Sequence, residues 1–279
     1  MLTTVVDGVS TLSPLQAFLV LACILIALLL SACYTISIYS SPIALLAFGF
    51  GGYSLLQRLA TACGVLSPQP HVGIQAPDAI RFVCISDTRG KHDRVKLPPG
   101  DVLLHAGNFV SHGSQEEVAR FNTWLGSLPY RRKIVISGHL ETQCPISWAK
   151  ILTNCDYLDH SSVSIDGVSI FGCPSVAPDR LHQIPAHTDV VVTSAAPFGI
   201  LDKTLVDGTH VGDETLLKQI LTRIRPKLHV FGSVQEAYGK TVMGTTTFVN
   251  ASVTTYMRQP SNAAWIIDLP RRSAKLSPT

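Results

Sequence analysis

Ile80-Arg-Phe-Val-Cys-Ile-Ser86 is a short, mostly apolar run that closes on a small polar residue, and Asp87-Thr88-Arg89 follows it at once. A run of that length, with β-branched and aromatic residues in it, predicts a buried strand. In layered α/β domains the loops after the strands carry the chemistry, and Asp87 stands in such a loop. Two further runs repeat the pattern downstream, Asp101-Val-Leu-Leu-His-Ala106 and Lys133-Ile-Val-Ile-Ser137. Between them Ser114 and Glu117 have the spacing of a helix-capping box. Val118, Phe121 and Leu125 then share one helical face, with Gly126 near the end of that helix.

Toward the C-terminus, Val168 to Gly172 and Asp189 to Thr193 continue the strand series. A second helix is predicted from about Asp213 to Ile224, because Leu216, Leu217, Ile220, Leu221 and Ile224 form a stripe of helical period. Pro226 stops it. Leu228 to Gly232, Thr245 to Val249 and Ala264 to Leu269 complete the series with residues of high strand propensity. Strands that alternate with helices early and cluster late predict one layered α/β domain over residues 79–279.

Toward the N-terminus the character of the chain changes. From Gly8 to Gln57 there is no Asp, Glu, Lys or Arg. Leu15 to Tyr39 is an uncharged run of 25 residues, longer than the ~20 that a membrane-spanning helix needs. Pro42 to Leu56 is shorter and carries Gly49, Gly51 and Gly52. It reads as a second thin span, an interfacial helix, or a helix packed against partner helices through its small residues. Residues 1–60 are therefore expected to be a membrane anchor and residues 61–78, with Pro68, Pro70 and Pro77, a linker. Met1 to Pro14 lacks the basic region of a secretory signal and the arginines of a mitochondrial presequence, which favours an uncleaved anchor. Leu30-Ser31-Ala32-Cys33 resembles a lipoprotein cleavage box, a pattern apolar helices produce by chance. The basic residues all lie beyond the apolar region, from Arg58 on, which puts the globular domain on the cytoplasmic or matrix side. The mitochondrial inner membrane is the favoured location, by analogy alone, with the endoplasmic reticulum as the alternative.

Hydrophobic residues make up 46% of the chain and charged ones 15%, and the net charge of +3 is too small and dispersed to argue for nucleic acid. The cysteines are Cys23, Cys33, Cys63, Cys84, Cys144, Cys155 and Cys173, with no CxxC pair. Free thiols are favoured over disulfides, and no zinc spacing is present.

Several strings together carry a family resemblance: Phe82-Val-Cys-Ile-Ser-Asp-Thr88, Gly100-Asp-Val-Leu-Leu-His105, Phe121-Asn-Thr-Trp-Leu-Gly126, Lys133-Ile-Val-Ile136, Pro226-Lys-Leu-His-Val-Phe-Gly232 and Gly244-Thr-Thr-Thr-Phe248. In this order and spacing they resemble the calcineurin-like metallophosphoesterases, in the branch of the metallophosphoesterase domain-containing proteins, over roughly residues 80–270. The resemblance implies a layered β-sandwich flanked by helices. It also implies a centre of two metal ions, held by Asp, His and Asn side chains on five loops, that activates a water for phosphoester hydrolysis.

Set against the family's motifs, the ligand positions of this chain read differently. The Asp-x-His motif is Asp87-Thr88-Arg89, with a cation where a ligand belongs. The Gly-Asp motif is Gly107-Asn108, which lacks the carboxylate that bridges both metals in the family. The Gly-Asn-His-Glu motif is Gly138-His139-Leu140-Glu141, with His139 at the amide position; a one-residue gap would align His139 with the catalytic histidine and lose the asparagine instead. The lone histidine after a strand becomes Ser194 in Thr193-Ser194-Ala195-Ala196-Pro197. The Gly-His-x-His motif is Gly232-Ser233-Val234-Gln235. Of the positions Asp87, Arg89, Asn108, His139, Ser194, Ser233 and Gln235, only Asp87 keeps the family's residue.

The expectation is a catalytically inactive family member with no metal and no cofactor, in which Asp87 and Arg89 form an ion pair where cations were bound. Ser194 and Ser233 lie in no nucleophile elbow. His105 and His229 are expected to be hydrogen-bonded structural groups. His71, His92, His112, His160, His182, His187 and His210 form no ligand spacing. A kept fold with an emptied centre points to an accessory subunit of a membrane assembly, in contact with lipid and protein partners. Two alternatives stay open: a metal-free phosphate or nucleotide binder, using Arg89 and Lys91, and a residual phosphodiesterase with an altered metal.

Overall fold

The structure, a computed structural model, describes residues 73–144, 147–174, 176–256 and 258–271. The apolar segments expected at 15–39 and 42–56, and most of the linker, lie outside these residues. No helix among the described residues is long and apolar enough to cross a membrane.

Two sheets form the body of the domain. The first has five strands in the order β11 (Trp265–Pro270), β1 (Ala79–Ile85), β2 (Val102–His105), β3 (Arg132–Val135) and β4 (Asp156–Tyr157). β1 to β4 run parallel, and β11 pairs antiparallel with β1. The second has six strands in the order β5 (Ser161–Ile165), β6 (Val168–Cys173), β7 (Val190–Thr193), β8 (Leu228–Phe231), β10 (Thr246–Asn250) and β9 (Gly239–Met243). Its four inner strands are parallel and its two edge strands antiparallel.

The alternation of side chains along each strand places the layers. Ile80, Phe82 and Cys84 of β1 and Val102 and Leu104 of β2 point between the sheets, where they meet Ile170, Val190, Val192, Val230 and Val249 of the second sheet. Val83, Ile85 and Leu103 point the other way, onto Val118, Phe121 and Leu125 of helix α1 (Gln115–Ser127). The strands are thus covered on both faces, which is why they read as unbroken apolar runs. Each such side chain taken fully out of water stabilises the fold by about 1.5–3 kcal/mol. The chain continues through α2 (His139–Thr142), α3 (Trp148–Ile151) and α4 (Pro178–Leu181) to α5 (Glu214–Gln219). The expected stripe of Leu216, Ile220 and Ile224 packs on Phe171, Val191, Phe231 and Phe248 of the second sheet's outer face. Leu221 falls off that stripe and is exposed.

Two boundaries differ in detail from expectation. The second helix widens into a π turn over Ile220–Ile224, and Arg225 (φ 51°) closes it in the left-handed region before Pro226. At α1 only half of the capping box forms. The Ser114 hydroxyl accepts from the Glu117 N–H. The Glu117 carboxylate instead reaches past the cap to accept the N–H groups of Ser111, His112 and Gly113. Three donors outweigh one, so the glutamate organises the loop after β2 as well as the helix.

The C-terminal ends of the two sheets meet. Ser86, just past β1, bridges in parallel to Ser252, just past β10. The Ser86 N–H donates to Ala251 O and the Val253 N–H to Ser86 O. The loops after β1, β2, β3, β7 and β8 converge at this seam.

Candidate functional site

Backbone geometry builds the seam first. Asp87 (φ 56°), Arg89 (φ 45°), Asn108 (φ 57°) and Ser233 (φ 70°) all lie in the left-handed region. Such conformations cost non-glycine residues of order 1 kcal/mol or more each and gather at functional sites. The loops also pass very close. A Cβ on Gly107 would stand 2.6 Å from the Gly138 nitrogen, and one on Gly232 would collide with Ser86 Oγ and Asp87 Oδ2. Only glycine permits these approaches.

Asp87 is fully buried. Its Oδ2 accepts from Ser86 Oγ at 2.7 Å, Ser252 Oγ at 2.8 Å and the Ser233 N–H at 2.9 Å. Its Oδ1 accepts from Asn108 Nδ2 at 2.8 Å, and the Arg89 guanidinium stands 3.8 Å away. A carboxylate offers about four lone-pair sites; three of the four hydrogen bonds to Asp87 fall on Oδ2 and one on Oδ1, the oxygen that faces Arg89.

The neighbours close the network. Asn108 Oδ1 accepts the Leu140 N–H, and Asn108 Nδ2 also donates to Ser233 Oγ at 3.2 Å. Ser233 Oγ donates to Ser194 O, and Ser194 Oγ donates to Pro174 O. Both hydroxyl protons are thereby committed to carbonyls, and no base faces either oxygen. The Gln235 amide, turned so that its oxygen faces the guanidinium, accepts from Arg89 Nε at 2.6 Å and Nη2 at 3.1 Å. The structure thus gathers Asp87, Arg89, Asn108, Ser194, Ser233 and Gln235. It does not bring in His139, which is exposed; its Nε2 accepts from the Gln143 amide.

Two buried histidines brace the loops. Gly107 N–H donates to His105 Nδ1, so Nε2 carries the proton and donates to Thr88 Oγ1 at 3.0 Å. The Thr193 hydroxyl proton goes to Ala195 O, so His229 Nε2 donates to Thr193 Oγ1 at 2.9 Å. His229 Nδ1 is buried without a hydrogen-bond partner among the described residues. Burial pushes both rings down to about 3, and both are neutral.

Four residues of the network were not singled out from the sequence. Ser86, Ser252 and Thr254 supply hydroxyls, the last donating to Asp87 O. Glu141 is buried and accepts the N–H groups of Asn108, Val110 and Gly138. Burial raises its carboxyl to about 7 against the pull of those donors. The alternating small polar residues at 252 and 254 after a strand were the available signal for two of them.

Among the described residues, no group of three or more His, Cys, Asp or Glu side chains is placed to hold a metal ion. The fold is a pair of facing sheets covered by helices on both sides, with its loops gathered at one seam. No protein-family profile matches the chain. Metallophosphoesterase domain-containing protein 1 of Homo sapiens is 37% identical over 247 residues, covering 74% of this chain and 76% of that protein. The Mus musculus protein of the same name gives the same figures. Among solved structures, a phosphopantetheinyl hydrolase from Mycobacterium tuberculosis aligns with 73% of this chain and 100% of its own, at 12% identity and a TM-score of 0.47. The chain belongs to the family of the metallophosphoesterase domain-containing proteins.

Proposed function

We propose that this chain is a non-hydrolytic member of the metallophosphoesterase family, in which the place of the two metal ions is taken by a protein hydrogen-bond network. One observation carries the reading: the Asp87 carboxylate accepts four hydrogen bonds from this chain and faces the Arg89 guanidinium. The residues do not fit a pair of divalent cations. Asp87 Oδ2 is taken up by three donors and Oδ1 by the Asn108 amide, Arg89 beside Oδ1 repels positive charge, and Asn108 spends its amide oxygen on the Leu140 N–H. Ser194 and Ser233 offer neutral hydroxyl oxygens, weaker ligands for such cations than imidazole or carboxylate.

Without that chemistry, the remaining use of the fold is its surface. The uncharged run from Gly8 to Gln57 supports an accessory subunit held at a membrane, docked to protein partners there. The test of the first statement is metal content. Protein incubated with manganese, iron and zinc and then desalted is expected to retain little metal and to leave phosphodiester substrates intact. Close to two bound equivalents, with hydrolysis that a chelator abolishes, would restore the hydrolase reading. The second statement is tested by purification in mild detergent, where partner subunits are expected to remain bound; a chain recovered alone, in monomeric form, argues against it.

A further inference from the structure

A cavity of about 640 Å³ opens beside the seam, between the segment Gly90–Arg94 and α1. Its volume is in the range of small-molecule pockets. Lys91, Arg94 and Arg120 line it, with Asp93 as the one acidic residue of the wall. None of these three cations forms an ion pair among the described residues. Lys91 and Arg94 crowd one another: burial, and then the guanidinium groups of Arg94 and Arg258, hold the Lys91 ammonium below its usual range, while Arg120 acts on Glu116 one helical turn back. Lys91 Nζ is steadied by donating to Arg258 O at 2.5 Å. Positive charge gathered this way around a concavity favours an anion there.

The remaining wall is aromatic. Trp124 is half-buried, stacks on Phe121 with 5.6 Å between ring centres, and tilts against His92 at 5.1 Å. His92 is buried, and its Nδ1 has no hydrogen-bond partner among the described residues. Burial lowers its titration further, so the ring is neutral and adds no charge. The cavity thus offers forked guanidinium donors suited to phosphate oxygens next to a fixed indole suited to a planar ring.

We infer that this cavity binds a small phosphomonoester that carries an aromatic or heteroaromatic ring, with Arg94, Arg120 and Lys91 meeting the phosphate and Trp124 the ring. The site holds no residue of the Asp87 network, so the inference stands whether or not the chain hydrolyses anything.

The test is a calorimetric titration of the full chain in detergent with phenyl phosphate and, separately, with inorganic phosphate. Phenyl phosphate is expected to bind saturably, and inorganic phosphate more weakly at the same site. The double variant Arg94→Ala, Arg120→Ala is expected to weaken phenyl phosphate binding by about tenfold or more. Both side chains are exposed, so folding is not at stake; Arg120→Glu, which reverses one charge, serves as a second variant and is expected to abolish binding. Absence of saturation overturns the proposal, as does full affinity in these variants. Binding lost in Arg89→Ala but kept in the double variant would place the anion at the Asp87 network instead. Equal affinity for the two probes would overturn the role given to Trp124.

Discussion

Asp87 is fully buried, so its neighbours must do the work of solvent. Hydroxyls from Ser86 and Ser252, the Ser233 N–H and the Asn108 amide supply hydrogen bonds, and Arg89 supplies the opposite charge at 3.8 Å. Two outcomes follow. Arg89→Ala is expected to lower stability by about 1–3 kcal/mol, because a buried charge loses its counter-charge; an unchanged denaturant midpoint would show that the hydrogen bonds alone suffice. Asn108→Asp restores the family's residue and sets a second carboxylate 2.8 Å from the first. Like charges raise the pKa of one of the two, so the variant is expected to lose roughly 2 kcal/mol at neutral pH. A carboxyl raised by its neighbour is protonated at low pH, so the loss should shrink as pH falls toward 5. Thermal melts at the two pH values check this. A rescue by manganese at neutral pH would mean that the pocket still accepts a cation.

At the scale of elements, the seam depends on carboxylates that hold loops by their amides. Glu117 accepts three N–H groups from residues 111–113, and Glu141 accepts three from residues 108, 110 and 138. Glu117→Gln places an amide N–H₂ where only acceptors fit. It is expected to cost about 1–3 kcal/mol and to raise hydrogen exchange first in the loop after β2. Exchange that rises evenly over the whole domain would count against this local role. Gly232→Ala acts at the same level. Its methyl group must push Ser86 and Asp87 aside, and about 2 kcal/mol of destabilisation is expected from that overpacking. Wild-type melting of this variant would mean the two loops have room to part.

Across the whole molecule, two buried histidines weaken the fold as pH falls, while Glu141, raised to about 7, gains stability over the same range and offsets part of their effect. His105 and His229 are neutral in the fold, with values lowered to about 3. In the unfolded chain they titrate near 6.5. Between those values the unfolded state binds the protons and the native state does not, so stability falls as pH falls. At pH 5 the loss is about 2 kcal/mol for each ring. Urea melts from pH 7.5 to 4.5 should show the decline, and His229→Gln should remove part of it. An unchanged slope in His229→Gln would mean that this ring takes up its proton without unfolding.

The outline of the fold was legible because it is written in local pattern. Runs such as Ile80–Ile85 are apolar throughout, since a parallel strand between two layers is buried on both faces. Leu216, Ile220 and Ile224 repeat at helical period, since one face of that helix meets a sheet. Short elements such as β4, β9 and α2 escaped notice, because two to five residues give no period to read. The resemblance picked out Asp87, Arg89, Asn108, His139, Ser194, Ser233 and Gln235 as the positions to inspect. What those residues do in the fold was not legible. Ser252 reaches Asp87 across a separation of 165 residues, and Asn108 meets Ser233 across 125. His139 looked as well placed as Asn108, yet one turn of helix directs its ring to Gln143. The sequence by itself determined the layers and the family. Only the tertiary structure decided which donors meet Asp87 and which cations surround the cavity beside α1, because hydrogen bonds and charge pairs depend on distances that chain order does not contain.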